Sequence, residues 1–334
     1  MNDLQHKLSH ALDARAELLA SLHAEQTDCY RLFHGTNEGE PGLTVDRYGP
    51  QLLVQSFHAP VSEQDLALIE THCRQVFEPE EVVYNDRSAS NSRRSDDSRV
   101  LGTEYVGHEI GVKYRVRGKH MGQDPLLFLD MRAGRRRIVE IAQDKSVLNL
   151  FSYTCGVGVC AAKAGASDVV NVDFSTRNLE VGRENAELNG LNEDQIAFIQ
   201  SDFFTAVKQY AGLPVKQRVK RGQKPRPFPR IDERQFDLVY LDPPRWAKSY
   251  FGTVDLVRDY PSVLKPSLLA TKEGGTLICV NNVAKVPLDE WLDTVQRCGN
   301  KAGRPIRDYE IITPEADFPS PDGQFPLKIA LLHL

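Results

Sequence analysis

The sequence predicts an α/β protein in which a small α+β domain precedes a mostly parallel sheet covered by helices on both faces. After Gly118, uncharged apolar runs alternate with segments of helical spacing, a pattern typical of a parallel sheet with buried strands. These runs are 147–150, 169–172, 197–199, 238–241, 276–280 and 329–332. We expect a strand at each of them.

Two other patterns come before this region. Leucine and alanine recur every three or four residues between Leu4 and Leu22, which predicts one amphipathic helix. From Arg31 to Val116 short extended runs are separated by turn residues, with one helical stretch between Leu66 and Val76. The extended runs are 43–46, 51–57, 82–84 and 110–116. We therefore divide the chain into a helix at 1–28, a small α+β domain at 29–118 and a larger domain at 119–334.

The composition excludes several classes of protein. Of the 334 residues 41% are hydrophobic and 26% are charged, and no apolar run approaches the roughly 18 residues that cross a bilayer. Residues 1–22 lack the apolar stretch of a secretory signal, which predicts a cytoplasmic protein without membrane partners. Six cysteines without Cys-x-x-Cys spacing indicate neither a metal site nor disulfides. A formal net charge of -5 neither excludes nor shows nucleic-acid binding.

The first strand of the large domain runs into a turn that can approach a ligand. Small residues such as Ser152 and Cys155 lie in this turn, and Gly156 and Gly158 stand at the start of the next helix. The stretch from Gly156 to Ala161 also satisfies the loose dinucleotide fingerprint, so an NAD-dependent oxidoreductase and a merely structural turn both have to be weighed.

Acidic residues end the next two strands. Asp173 precedes a helix that begins at Ser175, and its carboxylate can accept hydrogen bonds from both ribose hydroxyls of an adenosine cofactor. Asp202 and Phe203 follow the third strand, where an acid can hold an adenine amino group and a phenyl ring can pack on the base. Either acid could instead be a helix cap.

The decisive motif runs from Asp242 to Trp246, directly after an apolar strand. Two consecutive prolines, Pro243 and Pro244, fix the backbone and leave carbonyls facing a cleft. Asp242 and the Pro243 carbonyl can accept from an amino or ring N–H group, while Trp246 offers a stacking face. This combination predicts a methyltransferase that acts on a planar base, and the chain shows no hydride-transfer constellation for an oxidoreductase.

These motifs resemble those of the bacterial class I S-adenosylmethionine-dependent 23S ribosomal RNA methyltransferases. The resemblance covers nearly everything from Arg31 to the C-terminus. It is carried by 31–35, 41–48, 128–132, 149–154 and 242–244. It implies a Rossmann-like catalytic domain with a seven-stranded sheet, S-adenosylmethionine as cofactor, large-subunit ribosomal RNA as substrate and a possible RNA-binding role for 29–118.

The same resemblance implies roles for individual residues. Asp130 and Arg132 are expected to lie over the cofactor, Asp173 with Phe174 at its ribose, and Asp202 with Phe203 at its adenine. The expected lining of the methionine end is Phe151, Ser152, Tyr153, Thr154 and Gly156. The expected catalytic residues are Asp242, which also borders the cofactor, together with Pro243, Pro244, Trp246 and Asn282.

The family has branches that differ in chemistry. The cytosine-5 branch usually carries an N-terminal PUA domain, whereas only the short helix precedes residue 30 here. That branch also needs a cysteine that adds to carbon 6, and the corresponding position here is Asn282. Cys279 falls inside an apolar strand and is expected to be buried. The pair Asn281 and Asn282 resembles the guanine-N7 branch, so we favour guanine N7 or an exocyclic amine over cytosine carbon 5.

A basic insert interrupts the large domain between Pro214 and Ile231. It contains seven lysines and arginines and no acid, and either contacts RNA phosphates or forms a solvated loop. The sequence also leaves open a non-RNA acceptor for the same fold, and a catalytically silent RNA-binding module. The sequence does not distinguish a monomer from a homodimer.

Overall fold

The computed structural model describes residues 3–88, 103–118, 124–217, 222 and 224–334. The chain forms two compact units, the first being Met1–Arg132 with Pro314–Gly323 and the second Ala133–Thr313 with Gln324–Leu334. The division expected from the sequence, at 28/29 and 118/119, differs from these units in three ways. The N-terminal helix belongs to the first unit, that unit extends to Arg132, and a short segment near the C-terminus joins it.

Unit 1 is built on a four-stranded sheet. Its elements are α1 (Asp3–Ala24), β1 (Cys29–Phe33), β2 (Leu43–Tyr48), β3 (Gln51–Ser56), α2 (Glu63–Cys73), β4 (Glu81–Asp86), β5 (Tyr105–Glu109) and β6 (Val112–Val116). The sheet order is β1-β2-β3-β4, with only the β3–β4 pair parallel. Helix α1 buries Leu8 and Leu22 in one apolar cluster with sheet residues such as Tyr30 and Leu52, which accounts for its apolar stripe.

The extended run expected at 110–116 corresponds to β6, which begins two residues later at Val112. Ile110 and Gly111 instead form the turn of an antiparallel hairpin between β5 and β6. Both turn residues have positive φ, 52° and 68°, as a tight hairpin turn of this kind requires. Ile110 was included in the expected run because a β-branched residue rarely adopts a positive φ.

Unit 2 alternates helices and strands. Its elements are α3 (Arg132–Ile141), β7 (Ser146–Leu150), α4 (Gly156–Lys163), β8 (Asp168–Asp173), α5 (Thr176–Leu188), β9 (Ile196–Gln200), α6 (Phe203–Tyr210), β10 (Phe236–Leu241), β11 (Trp246–Lys248), β12 (Thr253–Asp255), α7 (Pro261–Ala270), β13 (Thr271–Asn281), α8 (Leu288–Ala302), β14 (Asp308–Ile312) and β15 (Lys328–His333). Helix α3 begins at Arg132, the last residue of the first segment of unit 1.

The seven-stranded sheet of unit 2 has the order β14-β15-β13-β10-β7-β8-β9. All its strands are parallel except β15, which is antiparallel to both of its neighbours. This confirms the expected α/β fold with a mostly parallel sheet. All six expected strands are present. Strand β14 was not predicted, because its first three residues, Asp308, Tyr309 and Glu310, are exposed and the strand has no long apolar run.

The sheet core is closely packed beneath the strand ends that form the site. Helix α4 approaches β8 so closely that a Cβ on Gly158 would overlap the side chain of Asn171. Asn149 Nδ2 in turn donates to Asn171 Oδ1 at 2.9 Å. Gly158 therefore allows close packing of α4 on β8, whereas the sequence predicted that it lets a ligand approach the backbone. Within the described ranges, no helix is both long enough and apolar enough to span a bilayer.

Candidate functional site

A cleft of about 200 Å³ opens at the carboxyl ends of β7, β8 and β9 in unit 2. It lies beside the point where the strand order reverses between β7 and β10, which is the usual ligand position in open parallel sheets. Its lining consists of Phe151, Val172, Asp173, Phe174, Ser201, Asp202, Phe203, Phe204, Pro244, Ala247, Lys248, Ser249, Gly252 and Val254. Ligand pockets commonly measure roughly 300–1,000 Å³, so this enclosure fits part of a cofactor.

The turn after β7 has an unusual backbone. Phe151, Tyr153 and Cys155 all have positive φ, at 57°, 50° and 62°, although none is glycine. Each such conformation costs of order 1–3 kcal/mol and persists where the surroundings hold it. The surroundings here are the end of β8, since Ser152 N donates to Val172 O at 3.0 Å and Tyr153 N donates to Asp173 Oδ2 at 3.0 Å. No sequence signal pointed to this strained turn.

Asp173 is the carboxylate at the centre of the cleft wall. It is 6% exposed and also accepts from Ser175 N at 2.8 Å. Burial raises its pKa above the usual value, and the N–H groups of Ser175 and Tyr153 oppose that shift. Each carboxylate oxygen has a further lone pair, so the group can still accept hydrogen bonds from a ligand.

Aromatic rings form much of the remaining wall. Phe203 stacks on Phe151 with ring centroids 4.4 Å apart and planes 19° apart. Phe174 is 71% exposed and presents an open ring face at the same cleft. Asp202 caps helix α6, where its Oδ1 accepts from Phe204 N at 2.8 Å. Asp202 is therefore both a helix cap and a lining residue of the cleft, so the two alternatives for it are compatible.

The motif from Asp242 to Trp246 leaves β10 and enters a small hairpin, β11–β12. Pro244 lines the cleft, whereas the Pro243 side chain is buried and Asp242 is half-buried. Trp246 is 61% exposed on β11 and lies outside the cleft lining, although the next residues of the hairpin line it. The rigid turn therefore connects the cleft to an exposed aromatic side chain.

Asn282 lies directly after β13, two strands from β7 along the sheet, and is exposed. Its neighbour Asn281 is buried and accepts from Val283 N at 3.0 Å. The buried Lys328 on β15 holds the same segment, because its Nζ donates to Val283 O at 3.0 Å. Lys328 was not predicted from the sequence, although it is a lysine directly before an apolar run.

Asp130 and Arg132 lie in unit 1 and are not among the residues that line the cleft. Asp130 is in a short 3-10 turn, Leu129–Met131. The Arg132 guanidinium is fully buried and donates to Glu315 Oε2 at 2.7 Å, to Asp317 Oδ1 at 2.5 Å and to Cys29 O at 3.0 Å. These buried contacts give Arg132 structural partners, and the expectation that Asp130 and Arg132 lie over the cofactor stays a prediction.

The cysteines provide no nucleophile at the cleft. All six are buried free thiols. Burial raises the pKa of Cys279 to about 12 and that of Cys155 to about 12, so neither is a thiolate near neutral pH. Within the described residues there is no cluster of His, Cys, Asp and Glu arranged to hold a metal ion.

The cleft at the switch point of this sheet and the carboxylate after β8 indicate an enzyme that binds an adenosine cofactor. Residues 30–220 match the family model described as S-adenosylmethionine-dependent methyltransferase, and the chain belongs to that family. It is an S-adenosylmethionine-dependent methyltransferase, and S-adenosylmethionine is its cofactor. Membership of this family excludes the oxidoreductase alternative.

Named relatives extend over most of the chain. A protein of Shewanella amazonensis named ribosomal RNA large subunit methyltransferase I is 29% identical over 299 residues, which is 87% of this chain and 70% of the relative. The protein of the same name from Shigella flexneri is 30% identical over 301 residues, with the same coverage of both chains. These relatives confirm the resemblance to the 23S ribosomal RNA methyltransferases.

Solved structures share the fold. A crystal structure of a protein described as a methyltransferase in complex with SAH has a TM-score of 0.78 and 22% identity, covering 100% of this chain and 82% of that one. A methyltransferase structure from Agrobacterium tumefaciens has a TM-score of 0.62 and 16% identity, covering 92% and 91%. At these identities the likeness shows the fold alone.

Proposed function

We propose that this enzyme methylates a base of RNA, and that the RNA is large-subunit ribosomal RNA. The observation that carries the proposal is the rigid Asp242–Pro244 turn, which joins the cleft to the exposed ring of Trp246. A planar acceptor needs both hydrogen-bond acceptors at its edge and a face to stack on. The names of the relatives support the choice of ribosomal RNA, and such a substrate implies a cytoplasmic enzyme.

In this proposal the cleft holds the adenosine part of the cofactor. Asp173 accepts from the ribose hydroxyls with Phe174 alongside, and Asp202 accepts from the adenine amino group next to Phe203. The methionine end lies along the turn of Phe151, Ser152, Tyr153, Thr154 and Gly156. The donors and acceptors present fit such a ligand, since the buried Asp173, the half-buried Asp202 and several phenyl rings line the cleft.

The acceptor base is held on the other side of the Asp-Pro-Pro turn. Asp242 and the Pro243 carbonyl accept from its N–H groups, Pro244 forms the rim, and Trp246 stacks on its face. Asn282 extends from the end of β13 towards the same edge of the sheet. When bound, S-adenosylmethionine supplies a methyl group activated by its sulfonium charge. The contribution of the protein is to align the acceptor and exclude water.

The positions of the cysteines indicate which atom of the base accepts the methyl group. Methylation of cytosine carbon 5 requires a cysteine that adds covalently to the ring. Asn282 stands at the position where that cysteine is expected, and all six cysteines are buried. Guanine N7 has an in-plane lone pair, and an exocyclic amine is methylated on nitrogen without covalent addition to the ring, so we assign the acceptor to one of these.

The direct test is methyl transfer from tritium-labelled S-adenosylmethionine to purified 23S ribosomal RNA. RNA from cells that lack the protein should accept label, whereas RNA from cells that contain it is already modified and should accept little. Total protein and small-molecule extracts from the same deficient cells serve as competing acceptors. Label in either extract and none in the RNA would overturn the proposal in favour of a non-RNA acceptor.

A further inference from the structure

The basic insert contacts the hairpin beside the cleft. Its described part returns towards β10 through two contacts with Gln209 of α6, whose Nε2 donates to Pro229 O at 3.1 Å and whose Oε1 accepts from Ile231 N at 3.2 Å. Phe228 then packs edge-on against Phe251 at the hairpin turn, with centroids 5.7 Å apart. Residues 218–221 and 223 of the insert lie outside the described residues. The insert therefore belongs to the cleft side of unit 2.

Arg226 of the insert is joined to Tyr250 of the hairpin. Its Cζ lies 3.9 Å from the centre of the Tyr250 ring, and its Nη2 donates to the Tyr250 hydroxyl at 2.8 Å. Gln217 brackets Arg226 in the insert, because its Oε1 accepts from Arg226 N and its Nε2 donates to Arg226 O, both at 2.7 Å. Both Arg226 and Tyr250 are exposed. The result is a stacked guanidinium and phenol that face solvent.

The turn that carries Tyr250 is fixed to the cleft wall. A Cβ on Gly252 would overlap the ring of Phe204, which shows how closely the turn packs there. Ser249 Oγ accepts from Phe251 N at 3.1 Å, which stabilises the turn itself. A group bound at Arg226 and Tyr250 therefore lies next to anything bound in the cleft.

The charge around this pair is positive. Arg245 and Lys248 on the hairpin are exposed, and neither they nor Arg226 form an ion pair with an acid in the described part of the chain. Asp255 is the only acid between Trp246 and the end of β12, and its carboxylate already accepts from the backbone N–H groups of Val257 and Arg258. Exposed aromatic rings interleaved with unpaired cations are typical of surfaces that bind single-stranded nucleic acid.

We propose that Arg226 and Tyr250 form a stacking platform for single-stranded RNA that flanks the acceptor nucleotide, an inference that rests on the RNA-directed function proposed above. Arg226 contacts the phosphates with its free N–H groups, and an unstacked base packs on the exposed part of the Tyr250 and Arg226 pair. A duplex cannot use this surface, since its bases are already stacked. The basic insert thereby contributes to substrate binding without touching the reacting atoms.

The test compares binding of a labelled single-stranded RNA of about 12 nucleotides, a length within the range that such surfaces occupy, to wild-type protein saturated with S-adenosylhomocysteine. Tyr250→Ala and Arg226→Ala should each weaken binding by roughly tenfold. Arg226→Ala should also lower the slope of log affinity against log salt by about 0.7, the value of one phosphate contact on a single strand. Tyr250→Phe should retain most of the affinity, because it keeps the ring.

Arg307→Ala is the matched control. Arg307 is an exposed arginine directly before β14, the edge strand farthest from β9, and so lies at the amino end of β14. Its removal should leave RNA binding unchanged. All variants should bind S-adenosylhomocysteine as the wild type does, which shows that the fold is intact. If the wild-type protein methylates RNA but Tyr250→Ala binds RNA as tightly as Arg307→Ala does, the stacking platform is overturned and the proposed function is not. Wild-type protein that neither binds nor methylates RNA would overturn the proposed function as well.

Discussion

The Asp173 carboxylate accepts a hydrogen bond from Tyr153 N at 3.0 Å and so ties the end of β8 to the strained turn after β7. The same carboxylate therefore holds the turn proposed to line the methionine end of the cofactor and lies at the proposed ribose position. Asp173→Ala should weaken S-adenosylhomocysteine binding by about 2 kcal/mol, roughly 30-fold, because hydrogen bonds to a charged group are lost. Calorimetric titration measures this. Asp168→Ala, at the opposite end of β8, is the matched control and should bind normally.

The acid side of the binding profile should report on Asp173. In the proposed complex its carboxylate form accepts from the ribose hydroxyls, and burial raises its pKa above the usual value. As the pH is lowered, affinity for S-adenosylhomocysteine should therefore begin to fall at a higher pH than the titration of an exposed aspartate would give. Asp173→Asn should remove this dependence. A profile in Asp173→Asn that matches the wild type would assign the titration to another group.

Trp246 should act on the acceptor and not on the cofactor. Because it is 61% exposed, Trp246→Ala should change the free energy of unfolding by no more than about 0.5 kcal/mol. The KM for RNA should rise by roughly tenfold, as expected when one base loses its stacking partner, while Trp246→Phe restores most of it. Steady-state methyl transfer measures both. A variant with normal KM and weakened S-adenosylhomocysteine binding contradicts the assignment.

The buried cysteines predict a non-covalent mechanism. RNA that carries 5-fluorocytosine traps enzymes that add a cysteine to the ring, so no denaturation-resistant complex should form with this protein. Cys279→Ala should retain methyl transfer, at a stability cost of about 1 kcal/mol for a small core deletion. Gel analysis of the trapped mixture is the measurement. An adduct that disappears in Cys279→Ala would establish the cytosine-5 chemistry instead.

Arg132 should behave as a structural residue. Its removal leaves the fully buried Asp317 without its ionic partner, so Arg132→Met should lower the free energy of unfolding by about 3–5 kcal/mol. Urea denaturation measures this. Arg137→Ala, which loses part-exposed ion pairs with Glu140 and Glu310, should cost no more than about 1 kcal/mol. Normal stability combined with lost cofactor affinity in Arg132→Met would restore the role that the sequence suggested.

The sequence predicted most of the sheet and the positions of its acids. Apolar runs identify the strands because both faces of β7, β8, β10 and β13 are buried, and parallel strands bring their carboxyl ends to one edge. Asp173, Asp202 and Pro244 could therefore be placed near one another before any contact was known.

Features that depend on tertiary contacts were not predictable. The left-handed turn at Phe151 and Tyr153 has no glycine to mark it, since the end of β8 holds it in place. The partner of Arg132 is Asp317, 185 residues further along the chain, so the motif around Arg132 could not reveal its burial. The attachment of the basic insert to Tyr250 likewise depends on a stacking contact that spacing does not encode.

The central claim is methyl transfer to a base of large-subunit ribosomal RNA, and mass-spectrometric nucleoside analysis of that RNA tests it most directly. RNA from cells lacking the protein should lose one methylated nucleoside, a guanine N7 or exocyclic-amine product, which returns with the wild-type gene and not with Asp242→Ala. An unchanged set of methylated nucleosides in the deficient cells would contradict the account.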